Sequence, residues 1–180
     1  AVDMLGFGFS DKPRDISYTI AAQATLHEQL LASLGIEDVH VLAHDYGDTV
    51  SQELMARQLE RIQHGGSGLR LRTVSLLNGG LFPESHHARP IQTLLRSPLG
   101  PLLVRALNER AFRRSFCAIF GADTQPDDDE LSRCWALINH NGGRLNMGRL
   151  LHYIDERKRH RQRWVSALVE APMPVQLIVG

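Results

Sequence analysis

The segment "AHDYGD", residues 43–48, has the clearest chemical potential in this 180-residue sequence. Ala43, Asp45 and Gly47 form a small-x-Asp-x-small pattern between a run of β-formers and a run of helix formers. A strand that turns into a helix within two residues forces the central residue into strained backbone geometry and requires small neighbours. The pattern therefore predicts that the Asp45 side chain projects above the end of a strand.

A carboxylate at such a turn is suited to nucleophilic attack. The N–H groups and the dipole of the following helix stabilise negative charge at the helix N-terminus. We therefore expect Asp45 to attack an electrophilic carbon without the help of a base. Hydrolysis of the resulting ester does need a base that activates water. The alternative interpretation is that Asp45 is an ordinary N-cap residue of the helix.

Other polar residues give weaker signals. His86 and His87 suggest a metal pair, but adjacent side chains rarely converge on one ion and no third ligand is apparent. The acidic run 127–130 has the wrong spacing for a calcium loop and suits the start of a helix. We therefore predict no metal and no cofactor. Asp48 is interpreted as a residue that favours the first helical turn, and orientation of a catalytic group is the alternative.

The composition excludes several classes of partner. Lys plus Arg and Asp plus Glu number 20 each, so no net field attracts nucleic acid. The basic segment "ERKRHRQR", residues 156–163, is interpreted as a solvated helix face because acidic residues lie at its start. No apolar run reaches the roughly 18 residues that a membrane span needs, so membrane association is not indicated. Two cysteines without metal spacing favour a reducing, cytoplasmic compartment.

The hydrophobic periodicity predicts an α/β protein with a parallel sheet. Short apolar runs alternate with amphipathic helical segments, and such alternation favours right-handed crossovers between parallel strands. Residues 1–4 read as the end of a buried strand, and both ends of the sequence are strand-like, so we expect a longer parent chain. The predicted organisation is a core segment, a helical insertion without strands, and a returning core strand: residues 1–80, 81–171 and 172–180.

Three segments carry a family resemblance. "DMLGFGFSDKP", "LAHDYGDTVSQEL" and "LLNGGLFPESH" resemble α/β-hydrolases of the epoxide hydrolase and haloalkane dehalogenase branch. The resemblance implies a partial α/β-hydrolase fold in which residues 81–171 form a helical cap. It also implies that Asp45 is the nucleophile and that the backbone N–H of Tyr46 is an oxyanion donor. It places the catalytic acid and His after Gly180, so we expect these 180 residues to be alkylated but not to turn over.

The same resemblance narrows the substrate to a small apolar molecule. Dehalogenases of this branch carry Trp after the nucleophile, whereas Tyr46 stands here, which favours epoxide hydrolysis. Tyr153 is the candidate acid that binds and protonates the epoxide oxygen, with an ordinary helix-surface tyrosine as the alternative. Trp135 is a candidate substrate-binding residue, with helix packing as the alternative. Ester, lactone and haloalkane substrates stay open, as does a catalytically silent binding or scaffold protein.

Overall fold

The computed structural model describes residues 1–85, 90–95, 97 and 99–179. The chain separates into two compact units, each made of two segments. The first unit comprises Ala1–Tyr18 and Ala88–His152, and the second comprises Thr19–His87 and Tyr153–Gly180.

His86 and His87 lie outside the described residues. Within the described ranges, no group of three or more His, Cys, Asp or Glu side chains is placed to hold a metal ion. No helix in that part of the chain combines the length and apolarity needed to cross a membrane.

The helices alternate with strands in the second unit and fill most of the first. Among the described residues, those between 81 and 171 form helices and turns without a strand, as the helical patterning predicted. The α-helices are α1 (Ile20–Ser33), α2 (Tyr46–His64), α3 (Pro90–Leu95), α4 (Gly100–Ala106), α5 (Glu109–Cys117), α6 (Asp128–Asn139), α7 (Met147–Leu150), α8 (Tyr153–Arg159) and α9 (Arg161–Val169).

A three-stranded parallel sheet forms the base of the second unit. Its strands are β1 (Asp38–His44), β2 (Arg70–Leu77) and β3 (Val175–Ile178), in that spatial order. The C-terminal ends lie at one edge, because His44 is opposite Leu77 and Leu77 is opposite Ile178. This arrangement confirms the predicted parallel α/β fold. It also defines the edge at which ligands bind in open α/β sheets.

Helix α2 is the most buried element of the second unit. It contacts α1 and α9 as well as β1 and β2. Apolar Val50, Leu54 and Met55 are buried, and so are polar Gln52 and Glu53. Such burial on more than one side is typical of a helix covered on two faces. The helix ends where Gly65 adopts a left-handed conformation, which suits glycine.

A buried carboxylate links α2 to its neighbouring helix. Glu53 accepts hydrogen bonds from Arg57 at 3.0 Å, from Arg163 at 2.8 Å and from the Trp164 indole at 2.8 Å. Burial alone would raise the pKa of Glu53, but the hydrogen bonds from these three residues hold the pKa below its ordinary value. Arg163 also pairs with Glu60. The charges thus stabilise one another, and they fasten α9 to α2.

The first unit is organised around the N-terminal loop. The Tyr18 hydroxyl donates to Pro13 O at 2.6 Å and accepts from Asn146 at 2.9 Å. Buried Lys12 donates to the loop carbonyls of Gly8 and Ser10 at 2.6 and 2.8 Å. These bonds give the loop a defined path without regular secondary structure.

One predicted element is absent. Ala1–Met4 is not a strand, and Ala1–Asp3 are exposed, so the prediction of a buried strand end is wrong. The apolar pattern was read correctly, but a strand exists only through ladder hydrogen bonds. No strand in the described part of the chain pairs with these residues.

Candidate active site

Asp45 alone makes the turn from β1 into α2. The strand ends at His44 and the helix begins at Tyr46. Asp45 has φ 48° and ψ −103°, a conformation that costs a non-glycine residue on the order of 1–3 kcal/mol. The strained backbone that the small-x-Asp-x-small pattern predicted is therefore present.

Both backbone groups of Asp45 are fixed by hydrogen bonds. Its N–H donates to Leu77 O on the neighbouring strand at 3.2 Å. Its carbonyl accepts from Arg157 Nη2 on α8 at 3.2 Å. The strained turn is thus held between the sheet and a helix that lies 112 residues away in sequence.

The Asp45 carboxylate is not used to cap its own helix. An N-cap aspartate normally accepts a hydrogen bond from the first helical turn, but Asp45 makes no such bond. Its side chain is 60% exposed. This geometry argues against the ordinary N-cap interpretation and leaves both carboxylate oxygens available to a reacting molecule.

Arg157 is a buried cation beside this carboxylate, and the sequence analysis missed it. Its side chain is 2% exposed, and Nη2 lies 4.0 Å from Asp45 Oδ1. Nε donates to Thr49 Oγ1 at 2.7 Å, and the guanidinium carbon lies 4.5 Å from the centroid of the Tyr153 ring. Burial lowers the pKa of Arg157, and the nearby Tyr153 and Asp45 oppose that shift.

The interpretation of residues 156–163 as a solvated face is wrong for Arg157. The helical pattern marks Arg157 and Arg161 alike as basic residues that interrupt an apolar stripe, so it does not tell which of the two is buried. A basic residue on the buried face of a helix needs compensating groups, and these are the residues of the Asp45 turn.

Tyr46 and Tyr153 form an edge-to-face pair next to Asp45. Their ring centroids are 5.0 Å apart and their planes are inclined by 72°. Burial raises the pKa of Tyr46, and so does Glu156, while a hydrogen bond with Gln23 opposes the shift. Burial also raises the pKa of Tyr153, and the Asp45 charge adds to this effect. Tyr153 therefore carries its proton at neutral pH and is able to donate it.

Asp48 does more than favour the first helical turn. It is completely buried, and its Oδ1 accepts from Leu77 N at 3.4 Å. A Cβ added to Gly79 would lie 2.1 Å from Asp48 Oδ2, so glycine is required where the chain passes this carboxyl group. Burial raises the pKa of Asp48. The residue also lines a cavity of about 440 Å³ with apolar side chains from the ends of β2 and β3.

The structure brings together three of the four predicted site residues. Asp45, Tyr46 and Tyr153 belong to the second unit, and Trp135 belongs to the first. The Trp135 ring packs against Phe112 with centroids 5.5 Å apart, and the Arg144 guanidinium lies 5.6 Å from its centroid. These contacts are those of helix packing, and a substrate-binding role for Trp135 stays a prediction.

Comparisons with known proteins agree with the fold. Residues 1–65 match the profile of the alpha/beta hydrolase fold. The mesoderm-specific transcript protein of Mus musculus is 43% identical over 184 residues, which cover 100% of this chain and 54% of that protein. The chain thus spans about half the length of this relative.

Solved structures share the architecture at low sequence identity. A variant of the haloalkane dehalogenase DatA from Agrobacterium tumefaciens has a TM-score of 0.73 and 19% identity, over 98% of this chain and 61% of that one. The epoxide hydrolase CorEH has a TM-score of 0.67 and 17% identity, over 98% of this chain and 63% of that one. At these identities the likeness shows the fold.

Proposed function

Because this chain belongs to the α/β-hydrolase fold family, we propose that it is a hydrolase in which Asp45 forms a covalent ester with its substrate. The observation that supports this proposal is the strained turn that exposes a carboxylate at the C-terminal edge of a parallel sheet. That edge is where open α/β sheets bind ligands. The carboxylate makes no capping bond, so it is available for attack.

An epoxide of a small apolar molecule is the proposed substrate. An Asp45 oxygen attacks an epoxide carbon, a new C–O bond forms, and the ring C–O bond breaks. The alkoxide takes a proton from the Tyr153 hydroxyl, which is buried beside Asp45. Water then adds to the ester carbonyl, with the N–H of Tyr46 in the first turn of α2 as an oxyanion donor. This step also needs a base that activates the water.

Two alternatives remain in competition with epoxide hydrolysis. A haloalkane dehalogenase needs no proton donor, because the halide leaves as an anion. A catalytically silent binding protein is favoured by the Arg157–Asp45 pair, since a carboxylate beside a cation is a weaker nucleophile. Covalent labelling separates the silent protein from both enzymes, because it requires formation of the ester but not its hydrolysis.

The test of the proposed function is to find which residue carries the label. The two thiols, Cys117 and Cys134, are blocked first because both are free and thiols react with epoxides. The protein is then incubated with an aryl epoxide and digested at low pH. Peptide mass spectrometry should place one base-labile adduct on Asp45. An adduct on another carboxylate, or none, would overturn the proposal.

Replacing Tyr153 by phenylalanine should separate epoxide from halide chemistry. Loss of a general acid typically slows a reaction by about 10²-fold or more, so Tyr153→Phe should slow labelling by the epoxide to that extent. Labelling by an alkyl halide of similar size should be unchanged, since its leaving group needs no proton. Tyr46→Phe is the matched control, because the Tyr46 hydroxyl bonds to Gln23. Equal slowing with both reagents would mean that Tyr153 acts through packing.

A further inference from the structure

We infer that Arg157 is a positioning residue that fixes the Asp45 turn and favours the anionic states of the Asp45 carboxyl group over the neutral ester. The inference rests on the proposed function, because it assumes that Asp45 forms an ester. It adds a role for a buried cation that the fold alone does not require.

Three contacts hold Arg157 beside the Asp45 turn. Its Nε donates to Thr49 Oγ1 at 2.7 Å, and its Nη2 donates to Asp45 O at 3.2 Å. The guanidinium carbon lies 4.5 Å from the centroid of the Tyr153 ring, a distance at which a cation is attracted to the ring face. These three contacts fix a planar cation on the carbonyl side of the strained turn.

The Arg157 guanidinium faces the Asp45 carboxylate without a hydrogen bond to it. A buried guanidinium loses its hydration and needs compensation from nearby groups. The more exposed Arg161 and Arg163 form direct hydrogen bonds to carboxylates, at 3.0 Å to Glu84 and at 2.8 Å to Glu53. Arg157 instead stands 4.0 Å from Asp45 Oδ1, beyond hydrogen-bond distance. The Asp45 carboxylate is thus attracted electrostatically but not engaged in a bond that would block its attack.

The negative charge beside Arg157 changes during the proposed reaction. Esterification moves the negative charge from Asp45 to the alkoxide and, by proton transfer, to the Tyr153 oxygen. Water then returns a proton to Tyr153 and leaves as hydroxide, so the guanidinium stands beside a neutral ester and a neutral phenol. Addition of hydroxide to the ester carbonyl returns a negative charge to the tetrahedral oxyanion. Expulsion of the alkoxide leaves the Asp45 carboxylic acid, whose proton passes to the alkoxide, so that the carboxylate and a neutral alcohol are formed. Arg157 therefore stabilises the states before and after the ester and should shorten the lifetime of the ester.

The experiment measures formation and loss of the Asp45 ester separately. The protein is labelled with the aryl epoxide, transferred to epoxide-free buffer at fixed pH, and followed by intact mass. R157Q should lengthen the ester lifetime about tenfold. A fully buried charge would have a larger Coulomb effect, but Asp45 is 60% exposed and solvent weakens the interaction. The labelling rate of R157Q should not fall. R157K keeps the charge, so its ester lifetime should return most of the way to the shorter lifetime of the original protein. The ester lifetime of R161Q should equal that of the original protein.

A second variant keeps the test decisive if R157Q does not fold. Thr49→Val removes the Nε acceptor but keeps the charge, so it should lengthen the lifetime by a smaller factor. Lifetimes equal to that of R161Q in every folded variant would overturn the role of Arg157, while the label on Asp45 would still support the proposed function. If the original protein carries no label on Asp45, the proposed function fails and this inference is overturned with it.

Discussion

Replacing Asp45 by asparagine should abolish covalent labelling by the aryl epoxide. An amide of the same size fits the turn, but it lacks the negative charge that makes the carboxylate a nucleophile. We expect the labelling rate at this position to fall by on the order of 10³-fold or more, as for other enzymes that lose their nucleophile. Intact mass spectrometry measures the rate, and thermal unfolding checks that Asp45→Asn is folded.

The control for this substitution is Asp48→Asn. Asp48 belongs to the same helix turn but is completely buried and bonded to the backbone of Leu77. Labelling of Asp45 should persist in this variant, because its carboxylate is untouched. A mass increase of about 1 Da would reveal deamidation of Asp45→Asn, which regenerates the acid and has to be subtracted. Equal labelling of the original protein and Asp45→Asn would remove the basis for a nucleophilic role.

The elements and the turn were predictable because their signals are local. The alternation of apolar runs and helical patterns predicted the parallel sheet and its alternation with helices. The geometry of Asp45 follows from the residue types at 43, 45 and 47, since small neighbours are what a strained turn of this kind requires. Such features need no knowledge of the rest of the chain.

The surroundings of the site were not predictable because they come from distant segments. Arg157 bonds to Thr49 across 108 positions, and Arg163 bonds to Glu53 across 110. Nothing in a single sequence states which basic residue of "ERKRHRQR" turns inward. The same limit explains the error at Ala1–Met4, since a strand also depends on a partner outside its own segment.

Replacing Glu53 by alanine should lower the free energy of unfolding more than the loss of any other single ion pair described above for the second unit. The substitution leaves Arg57, Arg163 and the Trp164 indole without a shared acceptor in a mostly buried setting. Removing one partner of a buried ion pair costs about 3–5 kcal/mol. Because the two arginines are partly exposed, we expect about 3 kcal/mol, measured by urea denaturation.

Two comparisons show whether the buried network is the cause. Glu60→Ala removes the other carboxylate that binds Arg163, but Glu60 is half-exposed, so the loss should be below about 1 kcal/mol. The pH dependence has a defined sign. Because the folded protein holds the pKa of Glu53 low, its contribution is complete above the ordinary carboxyl pKa of about 4.3 and is lost as the pH falls through the folded-state value. The difference between the original protein and Glu53→Gln should therefore shrink in acid, and a difference that stays constant would assign the effect to packing rather than charge.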